Sequence, residues 1–413
     1  MASHGSWCIY KIICTAITVA LFRLSVASDL NHQRPAGLDA STQDAGALNG
    51  YLKLPHGKEE GEAHGAIEPP KSSRLVSVQV GSGREEIPAF YANDSADHGV
   101  QHVYITFHGK HRDGGAYWAM MNEAIRRRRG KRGYGTDRNT VVVAPQFLST
   151  IYNSDQYTGN QLAWTDLNAW QAGSRANHPP RTKLTPIDAL EAIVETFANQ
   201  TRYPRMQNVT VFGHGGGGQL AQRYSAVGKE APPHIHVRYI HGDASTSIYF
   251  TKDRPAEQGS TSACKRYNTW RYGFDEFPGT SAGSKTAKEY FRRYISRDVV
   301  SIVGVRDVKS NGDQSCMAKL QGGRKRRGRN LAWYKYVHAL AQTGEDVDGF
   351  PGQFDSLPDW SAASNHSIRL RLTAVEDVSH DATGILESRG GQSALFSDGH
   401  VELGWRPGHR GSL

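Results

Sequence analysis

The chain has 413 residues but only four cysteines, and it has no apolar run long enough to cross a bilayer. Its N-terminal apolar stretch, residues 12–22, is about half of the roughly 20 residues that a membrane-spanning helix needs. Lys11 precedes this stretch, and the small residues 25–27 follow it, which is the pattern of a secretory signal peptide. We therefore predict a signal peptide at residues 1–27, secretion, and no stable membrane span after cleavage.

The scarcity of cysteine simplifies the expected disulfide pattern. Cys8 and Cys14 lie within the predicted signal peptide, which leaves Cys264 and Cys316 in the mature chain. An even pair in an oxidising compartment predicts a disulfide between them.

Secretion also makes N-glycosylation relevant, and four N-x-[ST] sequons are present: Asn93, Asn199, Asn208 and Asn365. Asn208 begins a predicted buried strand, so we expect glycans at Asn93 and Asn199.

Acidic residues are outnumbered, and the formal net charge is +9. The basic residues concentrate in two runs, 126–132 and 324–329. Such runs can bind anionic partners, but no aromatic interleaving and no nucleic-acid motif accompanies them. We predict solvated helix ends and loops and no nucleic-acid partner. A further hypothesis places both runs in a loop cap over a ligand pocket.

The chain shows no repeat of fixed period and divides into four parts. Residues 28–73 lack a sustained apolar period and are predicted to be disordered. A single folded domain is expected at 74–405, followed by a short C-terminal tail at 406–413. Within the domain, the predicted strands are 75–80, 87–91, 103–107, 140–144, 209–212, 237–240, 299–304 and 368–374.

Helices are predicted between these strands: one that starts at Pro186 and has an apolar face from Ile187 to Phe197, and two at 218–227 and 330–341. The first has clear start signals: Thr185 as N-cap, Pro186 at the first helical position, and Asp188 completing a capping box. Strands alternating with helices indicate an α/β protein with a mostly parallel sheet covered by helices on both faces. The first two strands are expected to form an antiparallel pair.

A more specific absence lies in the turn after strand 209–212. The segment 208–223 reads NVTVFGHGGGGQLAQR, a strand, a glycine turn and a helix start. In a nucleophile elbow, G-x-S-x-G, this turn lifts a serine hydroxyl above the sheet. Here Gly215 stands at the serine position, so the scaffold of a nucleophilic site is present without its attacking atom.

The other parts of such a site follow in the expected order of nucleophile, acid and histidine. Asp307 comes directly after strand 299–304 and is the candidate acid, with Asp313 second. His380 follows the last strand and is the candidate base, with His400 in reserve.

An oxyanion hole needs backbone amides that face the developing negative charge. The residue after the elbow position, Gly216, is one candidate. The second amide is expected from Gly109 or Lys110, in the loop after strand 103–107.

The chain resembles a family of secreted or lipid-associated α/β-hydrolase-like proteins of bacteria and fungi. Six segments carry the resemblance: FHGK, VVVAPQFL, AWTDLNAWQAG, VFGHGGGGQLAQRY, YNTWRYGFDEFP and VSHD. It spans about residues 75–400 and implies an α/β-hydrolase fold of ester-hydrolase ancestry. In this family the elbow resembles G-H-S-A-G-G-Q, which aligns the serine with Gly215 and the alanine with Gly216. The resemblance also implies Asp307 as the acid and His380 as the base.

We predict that the glycine removes serine catalysis. Glycine adopts the positive φ of an elbow with little penalty, but no acyl-enzyme can form on it. The expected function is a ligand- or partner-binding pseudoenzyme, whose ligand is an ester-like or acyl small molecule or an unknown protein. The alternative is an active carboxyl-ester hydrolase, in which Ser245 or Ser247 replaces the nucleophile or His380 activates water.

A third reading comes from another class of protein. Residues 213–218 formally satisfy the dinucleotide motif G-x-G-x-x-G, and Asp243 follows near the ribose-binding position. The motif lies in mid-chain behind several strands, so the elbow explains the same letters more simply. No cofactor is expected.

The spacing of the histidines gives only weak support for a metal site. His234 and His236 lie close together, as do His108 and His111, but no carboxylate or cysteine completes either set. No metal site is predicted.

Overall fold

A computed structural model of the chain describes residues 66–93, 97–129, 139–165 and 168–408. The predicted signal peptide, most of the predicted disordered segment and residues 409–413 of the tail lie outside the described residues. The first strand begins at Ser73, one residue before the predicted start of the domain.

The core of the molecule is an eight-stranded sheet in the order β1-β2-β4-β3-β7-β8-β9-β10. The strands of this sheet are β1 Ser73–Gln79, β2 Glu86–Ala92, β3 His102–Phe107, β4 Thr140–Pro145, β7 Asn208–His214, β8 His236–Gly242, β9 Asp298–Gly304 and β10 Leu370–Val375. A second sheet consists of the two short strands β5 Leu148–Ser149 and β6 Ala163–Trp164. In the large sheet β1 and β2 are antiparallel, as predicted, and β2 also runs antiparallel to β4. All other neighbours are parallel.

Both faces of the sheet are covered, which explains why its central strands are almost continuously apolar. Alternate side chains of β3 enter two different cores: Val103 and Ile105 belong to one, and Tyr104 to the other. Helices α2, α3, α4 and α6 contribute to the first core, and α1, α7 and α8 to the second. The helices are α1 Gly114–Arg128, α2 Pro186–Ala198, α3 Gly216–Val227, α4 Ala287–Ser296, α5 Cys316–Lys319, α6 Arg326–Leu340, α7 Ala382–Glu387 and α8 Arg389–Phe396.

The start of α2 is confirmed in detail. The Thr185 side chain accepts a hydrogen bond from the Asp188 amide, and the Asp188 carboxylate accepts one from the Thr185 amide. These reciprocal bonds satisfy two of the amide groups that a helix start otherwise leaves without partners.

The prediction that the second basic run is solvated holds for the exposed Arg324 and Lys325 but was wrong for two of its arginines. Helix α6 begins inside this run, and Arg326 and Arg329 are each only 2% exposed. Arg326 pairs with a buried carboxylate, and Arg329 donates to the carbonyl oxygens of Ser245 and Gly323. In the first run, Arg126 and Arg127 extend from the end of α1 and pair with Glu123.

The predicted disulfide between Cys264 and Cys316 is confirmed. Cys316 is the first residue of α5, so the bond ties the start of this helix to a residue 52 positions earlier in the chain. Within the described part of the chain, no helix is both long enough and apolar enough to cross a bilayer.

This bond makes a prediction for stability. Because it closes a loop between residues 52 positions apart, the double variant Cys264→Ser/Cys316→Ser should lose about 2–4 kcal/mol of unfolding free energy. Urea denaturation of both proteins, with and without reductant, measures this. Reductant should destabilise only the natural chain, and equal stability of the two oxidised proteins would contradict the prediction.

Candidate active site

The turn between β7 and α3 has the geometry of a nucleophile elbow. Gly215 is the N-cap of α3 and has a φ of +59° and a ψ of −114°. Its amide donates to the carbonyl oxygen of Gly242, 2.9 Å away, which fixes the turn against the end of β8. A side chain at this position would be strained by the positive φ, and glycine is not.

The neighbouring glycines are required by close packing of α3 on the sheet. A β-carbon on Gly213 would lie 2.2 Å from the Gly217 carbonyl oxygen, and one on Gly218 would lie 2.2 Å from the Gly242 carbonyl oxygen. Both distances are far below any tolerated contact, so the helix reaches the strands only without side chains here. Asp243, the candidate ribose ligand, is fully buried and so does not face a bound nucleotide. These observations disfavour the dinucleotide reading.

The candidate acid and base lie in contact. His380 Nδ1 is 3.0 Å from Asp307 Oδ2, although the two residues are 73 positions apart. Asp307 follows β9 and is 1% exposed, whereas about 35% of the His380 side chain is exposed. The order along the sheet therefore brings together the ends of β7, β9 and β10, as the elbow motif requires.

A third charged residue belongs to this pair. Arg326 Nε donates to the same Asp307 oxygen over 2.9 Å, with both side chains almost fully buried. Burial by itself raises the pKa of Asp307, but the hydrogen bonds and charges of His380 and Arg326 bring that pKa below its usual value. Asp307 is therefore a carboxylate at neutral pH.

Burial lowers the pKa of His380, although its hydrogen bond to Asp307 acts in the opposite direction. The imidazole is consequently neutral at pH 7 and has the protonation state of a general base.

The other nitrogen of His380 points at residue 215. A β-carbon on Gly215 would lie 2.9 Å from His380 Nε2 and 3.2 Å from its Cε1. The ring thus lies within reach of the side chain that is absent. A serine here would require a small displacement of His380, whose side chain is partly exposed.

The three candidate oxyanion residues are also brought together. A β-carbon on Gly216 would lie 3.2 Å from the Lys110 amide nitrogen and 3.5 Å from the Gly109 carbonyl carbon. The same β-carbon would lie 2.6 Å from Gln171 Oε1. The glycine at 216, where the resemblance predicts alanine, therefore makes room for the Gln171 side chain.

These groups line a cavity of about 760 Å³. Its wall is mostly polar and includes amide side chains as well as Lys110, Arg271 and Arg326. The amide-bearing lining residues are Asn168, Gln171, Gln219, Asn311 and Gln314.

The reserve candidates have other roles. Asp313 accepts hydrogen bonds from the Tyr272 hydroxyl and the Ser315 amide. His400 is exposed and does not line the cavity. Ser245 lines the cavity, but among the described residues neither Ser245 nor Ser247 forms a hydrogen bond with His380.

The histidine pairs considered for metal binding do not converge. Phe147 donates its amide to His108 Nε2, and His234 Nε2 lies 3.1 Å from the Ala198 carbonyl oxygen. His236 instead pairs with Asp298.

Sequence reasoning missed a second histidine–carboxylate pair beside the first. His214 Nε2 lies 3.1 Å from Asp243 Oδ2, and the His214 and His380 ring centroids are 4.6 Å apart. A signal was present, since His214 ends β7 and Asp243 follows the neighbouring parallel strand β8. Gln171 and the buried role of Arg326 were missed as well.

Comparison with known proteins identifies the fold. No family model and no curated protein matches the chain. Among solved structures, the poly(3-hydroxybutyrate) depolymerase LpqC from Bordetella parapertussis is similar with a TM-score of 0.50 and 16% identity, over 81% of this chain and 92% of that chain. Poly(aspartic acid) hydrolase-1 from Sphingomonas sp. KT-1 has a TM-score of 0.49 and 14% identity, over 77% and 96% of the two chains.

An S-formylglutathione hydrolase from Agrobacterium tumefaciens is similar with a TM-score of 0.39 and 10% identity, over 79% and 94% of the two chains. At such identities the likeness shows the fold. The sheet order, the mostly parallel strands and the similarity to LpqC together define an α/β-hydrolase fold, which confirms the predicted fold class. The resemblance to one particular secreted family stays a prediction.

The pKa of Asp113, which lines the cavity, predicts an effect of pH on stability. Burial raises the pKa of Asp113 from 3.8 to about 7. The folded state therefore holds this proton more tightly than the unfolded chain, and stability falls as pH rises from about 4 to about 7. Asp113→Asn should be more stable than the natural chain at pH 8, by up to about 4 kcal/mol, with no such gain at pH 4.

Urea denaturation at both pH values tests this effect, with Asp313→Asn as the matched control. Burial alone would raise the pKa of Asp313 too, but hydrogen bonds from Tyr272 and Ser315 lower it. That variant should lose stability at pH 8 rather than gain it. A gain by Asp113→Asn that is equal at pH 4 and pH 8 would contradict the assignment.

Proposed function

We propose that the chain is a secreted α/β-hydrolase homologue of ester-hydrolase ancestry that binds an ester-like or acyl ligand without forming an acyl-serine intermediate. The observation that carries the proposal is the position of His380, whose Nε2 would lie 2.9 Å from a β-carbon on Gly215. The elbow, the base, the acid and the oxyanion loop all stand in a hydrolase arrangement, and residue 215 has no side chain.

The absence of a serine oxygen at position 215 explains why we expect serine catalysis to be lost. In a serine hydrolase the histidine removes the hydroxyl proton while the oxygen attacks the carbonyl carbon. His380 has its Nε2 directed at position 215 and its Nδ1 held by Asp307, so its orientation suits that proton transfer. With glycine there is neither a proton to remove nor an oxygen to attack. The remaining amides still suit recognition of a carbonyl or carboxylate oxygen.

The cavity wall favours a polar ligand. Side-chain amides and the cationic groups of Lys110 and Arg271 border the space around Gly215. Such a wall offers hydrogen bonds in several directions, and a long alkyl chain would leave them unused. We therefore expect a compact, oxygen-rich acyl or ester-like ligand, or a protein partner that presents such a group.

An extracellular site of action fits several features. The disulfide between Cys264 and Cys316 is typical of oxidising compartments, and the predicted signal peptide leads there. Asn93 and Asn199, the proposed glycan sites, both have exposed side chains. Asn199 ends α2, where an attached glycan meets solvent.

A second candidate function keeps the chain as an active ester hydrolase with Ser245 as nucleophile. The observation in its favour is that Ser245 lines the same cavity as His380. An activated nucleophile needs a hydrogen bond to its base. Ser245 and His380 form no such bond in the described structure.

Restoring the serine tests the proposal. Gly215→Ser places a hydroxyl beside His380, and a well-placed general base contributes roughly 10²–10⁴-fold. We expect kcat/KM for an activated short-chain ester to rise at least about 100-fold over the natural chain. Covalent labelling by a fluorophosphonate should appear in parallel. The positive φ should lower the stability of the variant by about 1–3 kcal/mol.

Gly215→Ala is the matched control, because it introduces the same β-carbon and the same strain without a hydroxyl. This variant should show no rise in kcat/KM and no fluorophosphonate labelling. The double variant Gly215→Ser/His380→Gln should lose the gain. If the natural chain and Gly215→Ala already hydrolyse the ester as fast as Gly215→Ser, and Ser245→Ala abolishes that rate, the second candidate is correct.

A further inference from the structure

The second histidine–carboxylate pair carries an inference of its own. His214, Asp243 and His380 each offer one donor atom, and the three atoms lie within 4.8 Å of one another. They come from the ends of three different strands, β7, β8 and β10. The cluster therefore depends on the fold and not on spacing in the sequence.

Asp243 is the unusual member of the cluster. Its side chain is fully buried, and its two oxygens accept from the Gly304 amide and contact His214 Nε2. Among the described residues, no lysine or arginine forms an ion pair with it. A buried carboxylate needs a counter-charge or a metal ion. Asp243 also adopts a φ of +44°, a strained backbone conformation that is typical of functional positions.

The absent side chain at 215 leaves His380 Nε2 unobstructed on that side, since a β-carbon on Gly215 would lie only 2.9 Å from it. His214 and His380 both line the cavity, which gives an ion access from solvent.

We propose that His214, Asp243 and His380 bind a divalent transition-metal ion between their donor atoms. Two imidazoles and one carboxylate are a donor set suited to Zn²⁺ and Co²⁺. The ion is held by three protein ligands, and its fourth position faces the cavity and takes water or the ligand. This site goes beyond the proposed function, because it adds a resident cation to a pocket otherwise described by its amides.

The surroundings match those of known metal ligands. A metal-bound histidine usually gives its other nitrogen to a carboxylate or carbonyl, and His380 Nδ1 already contacts Asp307. Asp243 is oriented in the same manner by the Gly304 amide. Asp307 and Gly304 thus hold two of the three ligands.

Metal binding requires the three donor atoms to move only slightly closer together. Metal–ligand bonds of about 2.0–2.2 Å place neighbouring donor atoms roughly 3–3.5 Å apart. The 3.1 Å between His214 Nε2 and Asp243 Oδ2 already meets this, and the partly exposed His380 ring closes the remainder.

Titration of the metal-stripped natural chain with Co²⁺ and Zn²⁺ tests the proposal. We expect one ion per chain, a visible Co²⁺ absorption band typical of four-coordinate geometry, and displacement of Co²⁺ by Zn²⁺. His380→Ala and Gly215→Ala should each weaken Co²⁺ binding at least about 10-fold, the first by removing a ligand and the second by placing a β-carbon 2.9 Å from His380 Nε2. Neither change removes a buried charged group, and thermal unfolding confirms that each variant is folded.

His98→Ala is the matched control, since His98 is exposed and lies outside the cavity. It should bind Co²⁺ as the natural chain does. Failure of the natural chain to bind one ion per chain would overturn the proposal. Binding that is unchanged in His380→Ala and Gly215→Ala would overturn it too, because the ion would then lie on other histidines.

The two proposals are tested by independent measurements, so either one can be overturned while the other stands. Ester hydrolysis by Gly215→Ser is measured in the presence of chelator and needs no metal. Co²⁺ binding is measured on the natural chain and needs no ester turnover.

Discussion

The close approach of α3 to the sheet is the constraint on which the site depends. Gly213, Gly217 and Gly218 bring this helix within direct contact of the strand backbones, where any side chain would overlap a carbonyl oxygen. Gly215, at the start of this helix, has a positive φ. The turn thus has the shape of a nucleophile elbow with glycine at its tip.

Around this turn, each charged group is held by another. Asp307 is shared by His380 and Arg326, and Asp243 holds His214 against the same imidazole. The two pairs lie side by side, with the His214 and His380 rings in contact. The site is a connected network at the ends of four strands.

Much of the fold was predictable because its signals are local. Buried strands appear as short apolar runs, and Thr185, Pro186 and Asp188 mark the start of α2 by their chemistry alone. The positions of Asp307 and His380 followed from strand order, since parallel strands end at one edge of the sheet. Their contact is now visible, and their catalytic roles stay predictions.

The parts that were missed depend on packing. A run of arginines looks solvated in a sequence, and only the fold shows that Arg326 is buried against Asp307. Helix α4 was overlooked although Thr286 and Glu289 form a capping box at its start. Helix α1 begins with two glycines, which hide its periodicity. Helix α4 was missed because too little weight was given to polar start signals.

The pairing of Arg326 with Asp307 affects how variants of this protein must be read. Replacing Asp307 alone would leave a guanidinium inside the protein without its carboxylate, and breaking a buried pair in this way costs about 3–5 kcal/mol. A loss of function in such a variant would report on folding as much as on chemistry. The acid of this site is therefore also a structural residue, and its role is separable only by exchanging the acid and its arginine together.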